Sequence, residues 1–301
     1  MSAPVLFSLS KDDPAGPALG KLICADRGEI EVRRFPDGET YLRYGTEVKG
    51  RSVILFCTLD RPDEKILPLL FAAATARELG AMQVGLVAPY LAYMRQDRRF
   101  HDGEAVTSAR FAKILSEQVD WLVTVDPHLH RRGSLGEIYG IPAVAVHAAP
   151  LISKWIARMV SKLLLIGPDQ ESEQWVASVA QAVGAPHVIL EKVRRGDREV
   201  EVSLPAIERW RDRTPVLVDD IVSTARTMIE TVRHLKRVGL SQPVCIAVHG
   251  VFAGEAYREL LAAGAARVVS TNTIPHESNE IDVAPLLAEG VRAVTGPGLP
   301  A

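Results

Sequence analysis

The chain has 301 residues, enough for two domains, with 47% apolar and 24% charged residues and a net charge of −2. That balance is ordinary for an enzyme and argues against a generic nucleic-acid binder, which carries a basic excess. Three cysteines, Cys24, Cys57 and Cys245, lie in or beside apolar segments without metal-site spacing, so a reducing compartment is expected.

The opening MSAPVLFSLSKDD lacks the basic start and long apolar core of a signal peptide, and no apolar run reaches the ~18 residues of a membrane span. The expectation is a cytoplasmic protein with neither membrane nor nucleic acid as a partner. Along the first half, VLFSLS (5–10), EIEVRRF (29–35), SVILFCTL (52–59), MQVGLVAPY (82–90) and WLVTVD (121–126) read as strands. Helical periodicity runs from Ile66 to Leu79 and from Val106 to Gln118. The second half repeats the pattern with KLLLIGPD (162–169), HVILEKVR (187–194), PVLVDDI (215–221), PVCIAVHGV (243–251) and RVVSTNTI (267–274). Helices are expected near 171–183, 224–238 and 255–263. Such alternation predicts an α/β fold of two similar units, each a mainly parallel sheet flanked by helices, at 1–147 and 148–301.

One segment breaks the alternation. HVILEKVRRGDREVEVSL (187–204) reads as two strands joined by an Arg-Gly-Asp-Arg tip, a hairpin rather than a crossover. It gathers Lys192, Arg194, Arg195 and Arg198, either a solvated turn or a flap that brings cations over a polyphosphate.

Ligands of open α/β sheets gather at the carboxyl ends of the strands, so the polar residues just beyond each strand matter most. VLVDDIVSTARTM (216–228) ends an apolar strand in Asp219 and Asp220 and continues through hydroxyl residues into a helix. Carboxylates accept hydrogen bonds from a diol, and a hydroxyl-rich turn at a helix N-terminus receives phosphate. The bland alternative is helix capping, with Thr227 and Glu230 as a capping box. TVDPHLH (124–130) offers Asp126, His128 and His130 after a second strand, and Asp169 follows a third. Zinc would want recognised nitrogen and sulfur spacing, whereas magnesium beside substrate phosphates needs one or two protein ligands. PYLAYMRQDRRF (89–100) joins tyrosines to arginines suited to phosphate; Glu104, Arg99 and His101 follow it without an evident role. Neither a Walker A loop nor a G-x-G-x-x-G fingerprint is present.

Taken in order, RRFPDGET, YLAYMRQDRRF, TVDPHLH, GPDQES and VLVDDIVSTARTM resemble the ribose-phosphate pyrophosphokinase family, its archaeal-type members most closely. The resemblance runs from about Phe35 to Pro275. It implies two phosphoribosyltransferase-like domains, the first with the ATP-side motifs and the second with the ribose-phosphate loop and catalytic flap. The implied reaction moves a pyrophosphoryl group from ATP to the C1 hydroxyl of ribose 5-phosphate, with Mg2+ as cofactor. Carried onto matching positions, Phe35, Asp37 and Glu39 reach the adenine from a neighbouring subunit, so a homo-oligomer, dimer or hexamer, is implied. Arg95, Gln96 and Asp97 belong to the ATP site, and His128 and Asp169 hold the metal. Asp219 and Asp220 take the ribose hydroxyls; Ser223, Thr224, Ala225, Arg226 and Thr227 cradle the 5-phosphate. Lys192 and Arg194 match the catalytic Lys-x-Arg pair of the flap. One departure stands out: the family usually has two glycines where this chain has Ala225 and Arg226. That leaves two competing readings, a kinase of another pentose phosphate and a non-catalytic regulatory paralogue.

Overall fold

The computed structural model describes residues 3–10, 13, 15–167, 172–195, 199–203 and 207–296, with the backbone alone at 174, 191–195, 199–203 and 207–208. It separates into two compact units. The first comprises Met1–His147, Thr273–Pro275 and Val283–Ala301; the second comprises Ala148–Asn272 and His276–Asp282.

In chain order the first unit holds β1 (Val5–Ser8), α1 (Ala15–Leu22), β2 (Asp26–Arg27), β3 (Ile30–Arg34), β4 (Thr40–Tyr44) and β5 (Ser52–Phe56). There follow α2 (Pro62–Glu78), β6 (Gln83–Ala88), α3 (Thr107–Gln118), β7 (Trp121–Val125) and β8 (Ala143–Val146). Six strands make an all-parallel sheet in the order β2-β1-β5-β6-β7-β8. Its inner strands are apolar end to end, as strands covered on both faces must be. Gly85 on β6 faces Trp121 on β7, and a Cβ there would stand 2.0 Å from the indole. The glycine thus makes room for an aromatic ring that is 1% exposed.

EIEVRRF, expected as one more sheet strand, is instead half of an antiparallel hairpin, β3–β4, outside the main sheet. The reason lies in its charges. Glu31, Arg33 and Arg34 alternate with half-buried Ile30 and Val32, a pattern fit for one covered face only. The Tyr44 hydroxyl pins the hairpin to α2 by donating to the Ala72 carbonyl at 2.7 Å.

The second unit holds α4 (Ala149–Met159), β9 (Leu163–Gly167), α5 (Glu173–Val183), β10 (His187–Ile189), β11 (Glu191–Arg195) and β12 (Glu199–Ser203). It continues with β13 (Thr214–Val222), α6 (Arg226–Arg237), β14 (Val244–Gly250), α7 (Ala256–Ala263), β15 (Arg267–Thr271) and β16 (Asn279–Ile281). Its parallel sheet runs β10-β9-β13-β14-β15-β16, repeating the first topology, and β11–β12 forms a separate antiparallel hairpin. HVI of the expected hairpin strand belongs to the sheet as β10; the hairpin itself begins at Glu191.

The last helix, α8 (Ala284–Thr295), corrects the expected 148–301 unit, because it packs in the first unit. Gly290 lets its backbone lie against β7 and β8: a Cβ there would meet Val123 at 2.6 Å and Val146 at 2.9 Å. Leu287, Ala288 and Val291 are buried alongside it, and Arg292 donates to the Leu22 carbonyl of α1 at 2.6 Å. Among the described residues no helix is long and apolar enough to cross a membrane.

Candidate active site

In the second unit, β13 runs on to Val222, so Asp219 and Asp220 lie within its carboxyl end rather than beyond it. One oxygen of each is held by backbone: Asp219 Oδ1 accepts from the Asp220 N–H at 3.0 Å, and Asp220 Oδ1 from the Ile221 N–H at 2.7 Å. Both residues are half-buried. The next residues, Ser223 to Ala225, turn into α6. That helix begins at Arg226, with Ala225 as its cap residue and, among the described residues, no side-chain cap hydrogen bond. The capping-box alternative is therefore wrong: Thr227 is already helical, and its carbonyl accepts from the Thr231 hydroxyl at 2.9 Å. The first-turn N–H groups, which have no intrahelical partner, carry the partial positive charge that suits an anion.

The β11–β12 hairpin pairs Lys192 with Val202 and Arg194 with Val200 in antiparallel register. The described structure at these two positions is the backbone. Asp169, and Arg198 at the hairpin tip, lie outside the described residues.

In the first unit, the loops after β6 and β7 are tied together. Asp97 is bridged by Arg131 at 3.2 and 3.3 Å, and Arg132 donates to the Asp97 carbonyl at 3.1 Å and to the Ser108 hydroxyl at 3.3 Å. The Gln96 carbonyl accepts from the Ser108 N–H at the start of α3 (3.3 Å). Arg95 is exposed and, among the described residues, makes no hydrogen bond or ion pair. Sequence reasoning passed over Arg131 and Arg132, although two arginines directly after TVDPHLH were the available signal. Glu104 acquires a structural role: its carboxylate accepts from the Phe100 and His101 N–H groups at 2.7 and 3.1 Å, closing the turn, and Arg99 donates to its carbonyl at 2.9 Å.

After β7, Asp126 and His128 both take left-handed backbone, at φ 33° and 56°. Asp126 is buried, and the His147 imidazole bonds its carboxylate at 2.9 Å. That bond raises the His147 pKa above its usual value, against the opposing effect of burial. His128 Nδ1 lies 3.0 Å from His130 Nε2. Of the three groups expected to face a metal, Asp126 thus has a protein partner, and the two imidazoles meet each other.

The tip of β3–β4 presents Phe35, Asp37 and Glu39 to solvent. The turn is closed by the Phe35 N–H donating to the Glu39 carbonyl at 2.8 Å, with Gly38 at φ 95° supplying the left-handed residue. Phe35 is 40% exposed and packs edge-on against Tyr41.

Comparison with known proteins follows this geometry. Residues 5–118 match the family described as the N-terminal domain of ribose phosphate pyrophosphokinase, and residues 134–286 match the phosphoribosyl transferase domain. The ribose-phosphate pyrophosphokinase of Methanopyrus kandleri is 34% identical over 97% of this chain and 100% of its own length. The chain belongs to the ribose-phosphate pyrophosphokinase family. A second relative of that name, from Saccharolobus solfataricus, is 32% identical over 88% of this chain and 91% of its own. The fold is also that of the crystal structure of phosphoribosylpyrophosphate synthetase from Mycobacterium smegmatis, with TM-score 0.85 and 23% identity over 98% of this chain and 99% of that one. Of the two positions where this chain departs from the family's glycines, Ala225 is left-handed at φ 54°, where glycine would be strain-free. Arg226 is the first helical residue and needs no such freedom.

Proposed function

We propose that this chain is a ribose-phosphate pyrophosphokinase, transferring the β,γ-pyrophosphoryl group of ATP to the C1 hydroxyl of ribose 5-phosphate. The observation that carries this reading is the carboxyl end of β13: two carboxylates in sequence, then a hydroxyl-rich turn into a helix whose first turn no side chain caps. On this reading Asp219 and Asp220 accept hydrogen bonds from the ribose hydroxyls. Ser223 to Thr227 bind the 5-phosphate through N–H groups, hydroxyls and the helix dipole.

The C1 hydroxyl oxygen then attacks the β-phosphorus and gives up its proton to solvent. A C1–O–Pβ bond forms, the bond from Pβ to the α–β bridging oxygen breaks, and AMP departs with the electron pair. Negative charge grows on the bridge, and Lys192 and Arg194 of the β11–β12 hairpin supply cations there. Arg95, Gln96 and Asp97 bind the nucleotide phosphates from the loop after β6, and Asp97 is held in place by Arg131. Phe35, Asp37 and Glu39 serve the adenine of a neighbouring copy, which makes the working form a homo-oligomer.

Magnesium prefers oxygen ligands and keeps substrate phosphates in its shell, so one or two protein groups suffice. The donor set fits: His128 and Asp169 would hold it beside the triphosphate, where it neutralises phosphate charge.

The test mixes protein, ATP, magnesium and ribose 5-phosphate and follows AMP and phosphoribosyl pyrophosphate by phosphorus NMR, with Lys192→Ala alongside. Wild type is expected to form both products, with the variant slower by ~10²–10³-fold, the usual cost of losing an electrostatic stabiliser. No product from wild type would refute the assignment.

A further inference from the structure

The two units repeat one chain order. A first strand (β1 or β9) is followed by a helix, a strand on its outer side (β2 or β10) and a hairpin (β3–β4 or β11–β12). Next comes a strand on the first strand's other side (β5 or β13), which leads into a helix (α2 or α6). The winding direction therefore reverses between β1 and β5 and between β9 and β13. Open α/β sheets bind ligands at the carboxyl ends of such strand pairs. In the second unit that place carries Asp219, Asp220 and the turn after them. In the first unit it carries a cavity of about 230 Å³. Both switch-point helices are also entered through a left-handed residue, Arg61 at φ 49° and Ala225 at φ 54°, and no side chain caps either helix.

The chemistry of the two places differs. Ser8 faces Phe56 at the end of β1–β5, and Ile166 faces Leu217 one step short of the end of β9. Counting onward along β5 and β13, Cys57 and Thr58 stand where the second unit has Asp219 and Asp220. Both acidic positions are neutral in the first unit. A lysine enters instead: Lys65 of α2 donates to the Thr58 carbonyl at 3.0 Å and to Asp60. Near Lys65 and Cys57 lies Asp13, 4% exposed, whose Oδ1 accepts from the Ala15 N–H at 3.2 Å, while Oδ2 has no hydrogen-bond partner among the described residues. Burial pushes its pKa up to about 7, so it opposes an anion only weakly at neutral pH.

The cavity wall is largely apolar, with Leu9, Val32 and Pro68 among its lining, and four residues bring donors to it. Ser10 and Thr40 bring hydroxyls, Lys65 a third N–H, and Arg34 a guanidinium. Among the described residues Arg34 makes one hydrogen bond, to the Glu64 carbonyl at 3.3 Å, and no ion pair. Arg33 is already committed, lying 3.9 Å over the Tyr41 ring and pairing with Glu31 at 3.3 Å. Among the described residues, Glu64 is the one carboxylate on the wall.

We propose that this first-unit cavity is a binding site for a small phosphate monoester, held by Lys65, Arg34, Ser10 and Thr40. It rests on the sugar-phosphate reading of the second unit only for the equivalence of position. A ligand here touches the β3–β4 hairpin directly, through Arg34 and Thr40, and so sets the posture of the tip that carries Phe35, Asp37 and Glu39. Occupancy of the first unit thereby tunes the nucleotide site that the hairpin serves.

The test is calorimetric titration of the full chain with ribose 5-phosphate, without ATP or metal, using wild type, Lys65→Met, Arg34→Ala, Asp220→Ala and the Lys65→Met/Asp220→Ala pair. Two molecules should bind per wild-type chain, one to either the Lys65 or the Asp220 variant, and none to the pair. Arg34→Ala, an exposed change that leaves Lys65 in place, should weaken the first-unit site roughly ten- to hundredfold, as loss of a charged hydrogen bond does. One site that vanishes in Asp220→Ala and ignores Lys65 and Arg34 overturns this inference and leaves the proposed function standing. One site that vanishes in Lys65→Met alone removes the substrate site from β13 instead, and no binding at all overturns both. Inorganic phosphate titrated into Asp220→Ala separates the sources. Tighter binding of the ester assigns a sugar phosphate, and equal binding assigns the phosphate group itself. Lys65→Met should also raise KM for ATP; an unchanged KM with binding lost overturns the link to the hairpin.

Discussion

Asp220→Asn isolates the charge at the end of β13 from its structural duty. The wild-type Oδ1 accepts from the Ile221 N–H at 2.7 Å, and the amide oxygen of Asn preserves that bond. On the proposed reading, what is lost is the charge offered to a ribose hydroxyl. A hydrogen bond to a charged group contributes about 1.5–3 kcal/mol and a neutral one about 0.5–1.5, so the loss is ~1–1.5 kcal/mol. At ~1.4 kcal/mol per factor of ten this is roughly a 5- to 13-fold rise in KM for ribose 5-phosphate, with KM for ATP and thermal stability unchanged. Asp220→Ala removes the acceptor as well. Its KM should rise further, by roughly 13- to 150-fold, and the orphaned Ile221 N–H should cost about 1 kcal/mol of stability. Steady-state kinetics with each substrate varied, beside thermal melts, separates these effects. A KM for ribose 5-phosphate within twofold of wild type in the Asn variant would refute the diol assignment. Equal rises for both substrates would point to a general loss of structure instead.

Three further outcomes are expected. Ala225→Val puts a β-branched side chain at φ 54°, where even Ala is strained, and should cost about 2 kcal/mol in chemical denaturation; no loss would mean that the loop is not left-handed in solution. Gly85→Ala drives a methyl into Trp121 and should destabilise by about 1–3 kcal/mol, an effect that Trp121→Leu should partly relieve; additive losses in the double variant would deny the contact. Because the folded pKa of His147 is raised from 6.5, protonation favours the folded state. Its stabilisation is full below about 6.5 and disappears as pH rises through the folded value. The melting-temperature gap between wild type and His147→Ala should therefore be widest in acid and close toward alkaline pH, and a constant gap would contradict the Asp126 bond.

The sheets were legible because buried parallel strands are apolar end to end. SVILF and WLVTV announce themselves, and the helix pattern after each one fixes the α/β class. The candidate site at β13 stood out for the same reason, since Asp219 and Asp220 interrupt such a run. Less visible was anything decided by distant packing. The placing of α8 depends on Gly290 fitting over Val123 and Val146, more than a hundred residues away, and no local pattern encodes that. The pairing of Asp97 with Arg131 and of Asp126 with His147 is similarly a product of loops brought together by neighbouring strands.

The β3–β4 hairpin is a different case: its first strand was read as a strand, and the sign of its separate pairing was present. EIEVRRF alternates charge with apolar residues, whereas the strands of both main sheets do not. In a sheet covered by helices on both faces, Glu31 and Arg33 would both leave water, and even as an ion pair they would carry a desolvation cost of several kcal/mol each. The segment therefore had to lie where one face meets water. The second unit's EKVRR carries the same alternation and was read as a hairpin from its Gly-Asp tip. Judging both segments by charge period rather than by turn residues would have exposed the repeat of topology. With it would have come the question of what the first unit's own switch point binds.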